Sequence, residues 1–354
     1  MKKIVLTGGG TAGHVNPNIA LIPHLLADGW EIHYIGSVDG IERQLMQPFT
    51  QIPYHTVQVG KLRRYMSAKN LSDPFKVLKG RSEARAILQQ LQPQVIFSKG
   101  GFVSVPVVYG AKDIPVVLHE SDYSCGLANK LCARRAKTVC VSFEPTLADV
   151  GAKGVWTGSP IRSEIINGDA SRAMEFTSLD DSKQWLLFIG GSQGSVAINK
   201  CVTAALPQLL ERFHVVHIRG KGNLDESLSG LPDYRQYEYL QEQLPDIYAA
   251  SSLVVGRAGA NTLFELLAAK KPMLLIPLPK AQSRGDQILN AKYFETLGYA
   301  SMLQQEDMTQ QSLLESIEQT LLRREDMMQA MASSPMQNGT DNVLKQIYLA
   351  AGMA

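Results

Sequence analysis

Lys3-Ile4-Val5-Leu6-Thr7-Gly8-Gly9-Gly10-Thr11-Ala12-Gly13-His14 begins as a short apolar run, breaks into glycines and leads into a helical pattern. A second stretch, Trp185-Leu186-Leu187-Phe188-Ile189-Gly190-Gly191-Ser192-Gln193-Gly194, repeats the design. A buried strand, a glycine turn and a helix, met twice, predict an α/β protein built from two Rossmann-like halves with parallel sheets.

Further strands are expected at Glu31–Ser37, Tyr54–Gly60, Gln94–Ser98, Pro115–His119 and Thr138–Phe143 in the first half. In the second they are expected at Phe213–Ile218, Arg235–Leu240, Leu253–Gly256 and Pro272–Pro277. Helical patterns separate them, as in β-α-β units. The expected domains are 1–160 and 161–332. A C-terminal segment, 333–354, with Val343, Leu344 and Ile347 on one helical face, is expected to join the first. Ligands of open α/β sheets bind beyond the carboxyl ends of the strands, so two such domains are expected to face a cleft.

The 354 residues are 45% hydrophobic and 19% charged, enough apolar material for two cores without staples. A net charge of +2 is too mild to imply nucleic acid as a partner. The four cysteines, Cys125, Cys132, Cys140 and Cys201, lack C-x-x-C spacing and read as small buried apolar residues. The N-terminal apolar run is too short for a signal peptide, and no stretch has the length of a membrane span.

Gly8-x-Gly10-x-x-Gly13 matches the dinucleotide fingerprint, in which glycines bring backbone amides close to phosphate. A nicotinamide enzyme also needs an acid at the end of the second strand. Asp39 is the nearest, past Gly36 and Ser37, which disfavours an oxidoreductase. His14, following the loop, is placed to take a proton from an attacking hydroxyl, since imidazole titrates near neutrality; the alternative is a packing residue. Lys99-Gly100-Gly101-Phe102-Val103-Ser104 offers a second set of amides, and two such loops suit a diphosphate. His119-Glu120-Ser121-Asp122 puts ionisable groups at a strand end, as a base, as sugar ligands or as an ordinary loop. In the second half Gly191-Ser192-Gln193-Gly194 opens a helix fit for phosphates. Arg257-Ala258-Gly259-Ala260-Asn261-Thr262 leads to Glu265, a carboxylate suited to ribose hydroxyls or to the helix dipole. Ser283-Arg284-Gly285-Asp286-Gln287 is a polar loop before a helix. There is no Asp-x-Asp and no metal-ligand spacing, so amides, hydroxyls and Arg162 are expected to hold a leaving diphosphate without metal or cofactor.

Between Lys61 and Arg85 lie eight cations, including Arg63, Arg64, Lys76 and Lys79, against Asp73 and Glu83. Apolar residues such as Phe75 are interleaved. This pattern fits either an anionic membrane surface or a helical hairpin with an apolar core side.

The ordered set of motifs resembles the MurG family of UDP-N-acetylglucosamine transferases. It runs from Gly9–His14 through Lys99–Pro106, His119-Glu120, Gly126–Asn129, Thr157–Arg162, Gly190–Gly194 and Arg257–Ala260 to Glu265, Gln287 and Asn290. The resemblance implies a GT-B fold and an inverting transfer from UDP-GlcNAc to undecaprenyl-diphosphate-linked MurNAc-pentapeptide. It implies a peripheral enzyme on the cytoplasmic face of the membrane. His14 matches the proposed general base, with Glu120 beside it as a second catalytic candidate. Gly10, Thr11, Ala12, Gly13, Gly100, Gly101 and Ser104 would hold the acceptor diphosphate. Arg162, Ser192, Gln193, Gln241, Ala260, Asn261, Thr262, Glu265, Asp286 and Gln287 would bind the donor, with Thr11, Gly13 and Asp122. Membrane contact would fall on Arg63, Arg64, Phe75, Lys76 and Lys79. Ala12 replaces a usual glycine, Ser121-Asp122 stand where many members have Gln-Asn, and Asp286 where many have His or Gln. A related transferase with another lipid acceptor and a non-catalytic nucleotide-sugar sensor are the competing readings.

Overall fold

The structure, a computed structural model, describes residues 2–60, 69–191 and 193–353, with 69–74 as backbone. It divides into two compact units, Met1–Arg162 with Asn338–Ala354, and Ser163–Gln337.

The first unit holds seven parallel strands: β1 (Lys2–Thr7), β2 (Trp30–Gly36), β3 (Tyr54–Thr56), β4 (Val95–Ser98), β5 (Val116–Glu120), β6 (Thr138–Val141) and β7 (Gly154–Trp156). Their order is β3-β2-β1-β4-β5-β6-β7. Ile4 pairs with Ile32 on one side and Val95 on the other, so β1 is central. The direction of winding reverses between β1 and β4, and the loops leaving these strands therefore lie side by side.

Ile4, Val5 and Leu6 are all fully buried because helices cover both faces. On one face Leu21 and Leu25 of the helix Asn16–Ala27 meet Leu6 and Phe97, and Val343 and Ile347 of the last helix, Thr340–Ala350, complete that core. On the other, Ala84 and Leu88 of the helix Lys69–Leu91 pack with Val107, Val5 and Ile96. From Lys69 onward the basic stretch is one long helix, Lys69–Leu91; residues 61–68, with Arg63 and Arg64, lie outside the described residues. Gly80 sits mid-helix because a Cβ there would stand 1.8 Å from the Gln58 carbonyl oxygen.

The second unit holds β8 (Gln184–Ile189), β9 (Phe213–Ile218), β10 (Tyr234–Tyr237), β11 (Ser251–Gly256), β12 (Met273–Leu275) and β13 (Ala300–Met302), in the order β10-β9-β8-β11-β12-β13, again all parallel. Its switch point lies between β8 and β11. Ile198, Val202 and Leu206 of the helix Val196–Arg212 join Leu313 and Ile317 of the helix Gln310–Leu322 against Leu186, Phe188 and Val255.

The strands β7 and β13 were not among those expected. Each is a three-residue edge strand with one partner, too short to show a hydrophobic period. Conversely, the ladder at Tyr54–Gly60 stops at Thr56, and that at Arg235–Leu240 becomes Tyr234–Tyr237.

Candidate functional site

In the first unit the strand-end loops interlock through backbone. A Cβ on Gly101, whose φ is +80°, would lie 2.2 Å from the Gly9 carbonyl and 3.2 Å from His14 Nδ1. Only glycine in a left-handed conformation allows that approach. Gly10 packs equally closely on the Phe102 ring. From below, the Tyr34 hydroxyl donates to the Gly8 carbonyl at 2.6 Å, and Asn18 Nδ2 donates to Thr7 O at 3.3 Å.

The buried carboxylate of Glu42 accepts the Gly10 amide at 3.1 Å, the Ser37 amide at 3.1 Å and the Ser37 hydroxyl. The Gly10 N–H is therefore engaged with the fold's own carboxylate. Glu42 was not singled out in the sequence. It lies in a short helix six residues beyond β2 and looks there like any surface acid.

Thr11 Oγ1 sits 2.9 Å from His14 Nδ1. The half-exposed ring is thereby fixed between Thr11 and Gly101. With Nδ1 carrying the proton and donating to Thr11, Nε2 bears the lone pair that a proton acceptor needs.

The His119–Asp122 turn splits into different roles. His119 is fully buried, Nε2 facing the Gly158 carbonyl at 3.0 Å, and burial holds its pKa well below the usual value. It is a neutral core histidine, not an ionisable site group. Glu120 accepts the amides of Asp122 (3.1 Å) and Gly126 (2.9 Å) and Asn129 Nδ2 (2.9 Å). Three donors on a buried carboxylate organise the loop leaving β5. That geometry fits a positioning role better than proton transfer. Ser104 Oγ is likewise turned inward, donating to the Gly100 carbonyl at 2.8 Å.

In the second unit a cavity of about 800 Å³ lies at the switch point. Its lining includes Gly190, Gly191, Gln193 and Gly194 and the start of the helix Val196–Arg212, whose N-cap Ser195 accepts the Ile198 amide at 3.3 Å. That helix turns its positive end toward the cavity, a setting for anions. Gly194, at φ +72°, abuts the Arg219 carbonyl: a Cβ would lie 2.0 Å from it.

Arg257, directly after β11, donates to Ser195 Oγ (2.7 Å), Gln305 Oε1 (2.5 Å) and the carbonyls of Ile276 (3.0 Å) and Pro277 (3.2 Å). None of these partners is a carboxylate. Burial lowers its pKa, yet a guanidinium stays charged. It is thus a fixed cation in a cavity wall that Lys200 also lines. The sequence displayed Arg257 after its strand, but no role was assigned to it, nor to Ser195, Lys200 and Gln305.

Of the expected donor residues, Gln193, Thr262 and Gln287 line this cavity. Gln287 Oε1 accepts the Leu278 amide at 3.0 Å, fixing the side chain at the rim. Ala260 and Asn261 start the helix Ala260–Ala268, and Glu265 follows Thr262 by about one turn. Asp286 pairs with Arg284 at 2.6 Å, and Gln241 is exposed beyond β10. Ser192 lies outside the described residues. Thr11, Gly13, Asp122 and Arg162 belong to the first unit.

Residues 4–141 match the glycosyltransferase family 28 N-terminal domain and residues 185–347 its C-terminal domain. With two parallel sheets, each bearing a glycine turn at its switch point, the protein is a two-domain glycosyltransferase. Over 350 residues it is 49% identical to a Lachnospira eligens protein named UDP-N-acetylglucosamine–N-acetylmuramyl-(pentapeptide) pyrophosphoryl-undecaprenol N-acetylglucosamine transferase, spanning 98% of this chain and 99% of that one. A Clostridium perfringens protein of the same name is 49% identical over 354 residues, 99% of each chain. The crystal structure of Acinetobacter baumannii MurG superposes with a TM-score of 0.77 at 26% identity, covering 99% of this chain and 100% of that one. The chain belongs to this family of N-acetylglucosamine transferases, commonly called MurG.

Proposed function

We infer that this protein transfers N-acetylglucosamine from UDP-GlcNAc to the MurNAc of undecaprenyl-diphosphate-linked MurNAc-pentapeptide, turning lipid I into lipid II for peptidoglycan. The observation that carries the reading is the 49% identity to transferases of that name along essentially the whole chain. The second unit takes the donor and the first takes the acceptor. The acceptor hydroxyl oxygen attacks the anomeric carbon, its proton passes to His14 Nε2, and the bond to the diphosphate breaks with inversion. Charge gathering on the departing UDP is met by the helix beginning at Val196 and by Arg257, both already in place. Glu265 is assigned to the ribose, and Gln287 to the sugar.

Turnover of UDP-GlcNAc with a short-chain analogue of the lipid acceptor tests the reading, with UDP-glucose and UDP-GalNAc as control donors. A disaccharide formed from UDP-GlcNAc alone is expected. UDP-GlcNAc binding without product would point instead to another acceptor or a sensor. Arg257→Gln is expected to weaken UDP binding about 10- to 100-fold, the value of a charge-assisted contact. Unchanged affinity by calorimetry would remove Arg257 from the donor site.

No helix among the described residues is long and apolar enough to cross a membrane. The enzyme meets its lipid substrate as a peripheral protein on the cytoplasmic face. The helix Lys69–Leu91 carries Phe75 at 74% and Leu78 at 59% exposure, beside exposed Lys76 and Lys79, a mixed apolar and basic surface suited to anionic lipid. Replacing Arg63, Arg64, Lys76 and Lys79 together with glutamine is expected to weaken binding to phosphatidylglycerol vesicles roughly 10²- to 10³-fold, at about 1 kcal/mol per cation. Sedimentation of the variant with vesicles at low salt to the same extent as wild type would rule this surface out.

A further inference from the structure

The mechanism leaves one buried charge unused. Lys99 ends the run that leaves β4 and opens the Gly100-Gly101 turn, yet its side chain is only 1% exposed. Its amide donates to the Thr7 carbonyl at 2.9 Å, and its Cβ lies close under Gly8: a Cβ there would meet the His14 carbonyl at 2.4 Å and Lys99 Cβ at 3.0 Å. The side chain therefore leaves from beneath Gly8, between the two glycine loops, and reaches Ser121 at the end of β5. Its ammonium donates to the Ser121 hydroxyl, and among the described residues no carboxylate forms an ion pair with it. Glu120, the nearest buried acid in sequence, accepts its three hydrogen bonds from Asp122, Gly126 and Asn129. His119 next door is neutral and turned to Gly158.

An ammonium without an ionic partner in the interior is costly to hold, and such groups concentrate where the charge is used. Its field is poorly screened there.

We propose that Lys99 is a positioning residue of the acceptor site, the buried counter-charge that sets affinity for the acceptor's diphosphate without entering proton transfer. The proposal rests on the assignment of the acceptor to the first unit. It separates two jobs within one loop cluster: His14 handles the proton, and Lys99 attracts the anion from beneath.

The charge on Lys99 can be titrated in the unmodified protein. Burial lowers its pKa to about 8, against the opposing pull of Glu120, Asp122 and Cys140, the titratable groups that face it along with His119. Burial pushes the Cys140 thiol up to about 12, so it remains neutral there. Below pH 8 the ammonium is charged; above it the charge is lost. The diphosphate diester of a lipid acceptor has no proton to exchange in this range.

KM for a short-chain lipid acceptor and KM for UDP-GlcNAc are measured on the wild-type enzyme from pH 6.5 to 9.5. The acceptor KM is expected to rise several-fold through pH 8 while the donor KM stays level. An acceptor KM that does not change overturns the proposal. In Lys99→Met, of similar length and no charge, the acceptor KM at pH 7 is expected to rise about tenfold with kcat within threefold and the break at pH 8 gone. Unaltered acceptor KM, or a fall confined to kcat, overturns it as well. Should the variant not fold, the wild-type series decides. Should no lipid acceptor be turned over, the functional reading fails by itself. Calorimetry with inorganic pyrophosphate at pH 7 then tests Lys99: equal affinity of wild type and Lys99→Met rejects the proposal, and a severalfold loss supports it.

Discussion

Replacing His14 with alanine is expected to lower kcat by about 10²- to 10⁴-fold, the usual worth of a positioned general base, with UDP affinity nearly unchanged. The expectation follows from the separation of parts. His14 belongs to the first unit, whereas the cavity with Arg257, Gln193 and Gln287 belongs to the second. Its ring is held by Thr11 at 2.9 Å and flanked by Gly101, so removing it leaves the glycine loops supported by Tyr34, Asn18 and Glu42. Thr11→Val should cost less, because it frees the ring without removing it. Single-turnover measurements with saturating lipid acceptor check both variants. A His14→Ala enzyme within threefold of wild type would transfer the role of base to another group.

Gly194→Ala is expected to damage the donor cavity at least as severely. Two penalties combine. A residue with a Cβ at φ +72° carries roughly 1–2 kcal/mol of strain, and the Cβ would lie 2.0 Å from the Arg219 carbonyl. Backbone cannot step aside as a flexible side chain can, and Gly220, at φ +91°, is wedged against the same turn. Forced repacking adds about 1–3 kcal/mol, so UDP affinity should fall roughly 30-fold or more. Thermal melting with and without UDP reads the change: the variant should lose most of the stabilisation that UDP confers on wild type. An undiminished ligand-induced shift would mean the turn tolerates a side chain.

The frame was legible because buried parallel strands read as unbroken apolar runs. Lys3–Thr7 and Trp185–Ile189 announce themselves, and the glycines after them mark where each sheet opens. The edge strands β7 and β13 have one neighbour each and carry no such run. At the site, residue type and position after a strand marked His14 and the Gly191–Gly194 turn as candidates, and the resemblance added Thr262 and Gln287; Gln193, Thr262 and Gln287 line the cavity. Type and position were not enough to tell an outward group from an inward one. His119 and Glu120 share a strand end with the site, but one is sealed in the core and the other is consumed by three donors. Glu42 shows the reverse case. Its role arises only when its helix folds beneath Gly9 and Gly10, a contact between positions some thirty residues apart that no local pattern encodes.

The last helix, Thr340–Ala350, supplies Val343, Leu344, Ile347 and Ala350 to the core built on the very first strand. During synthesis the first unit therefore lacks one wall until the helix Thr340–Ala350 has left the ribosome. At typical elongation rates the intervening second unit occupies roughly tens of seconds, ample time for it to fold first. The nascent first unit would wait with an apolar surface uncovered, a natural client for chaperones. It follows that a fragment ending near Arg162 is not a miniature of that unit, and that a bulky tag fused close behind Met353 loads the seam which closes it.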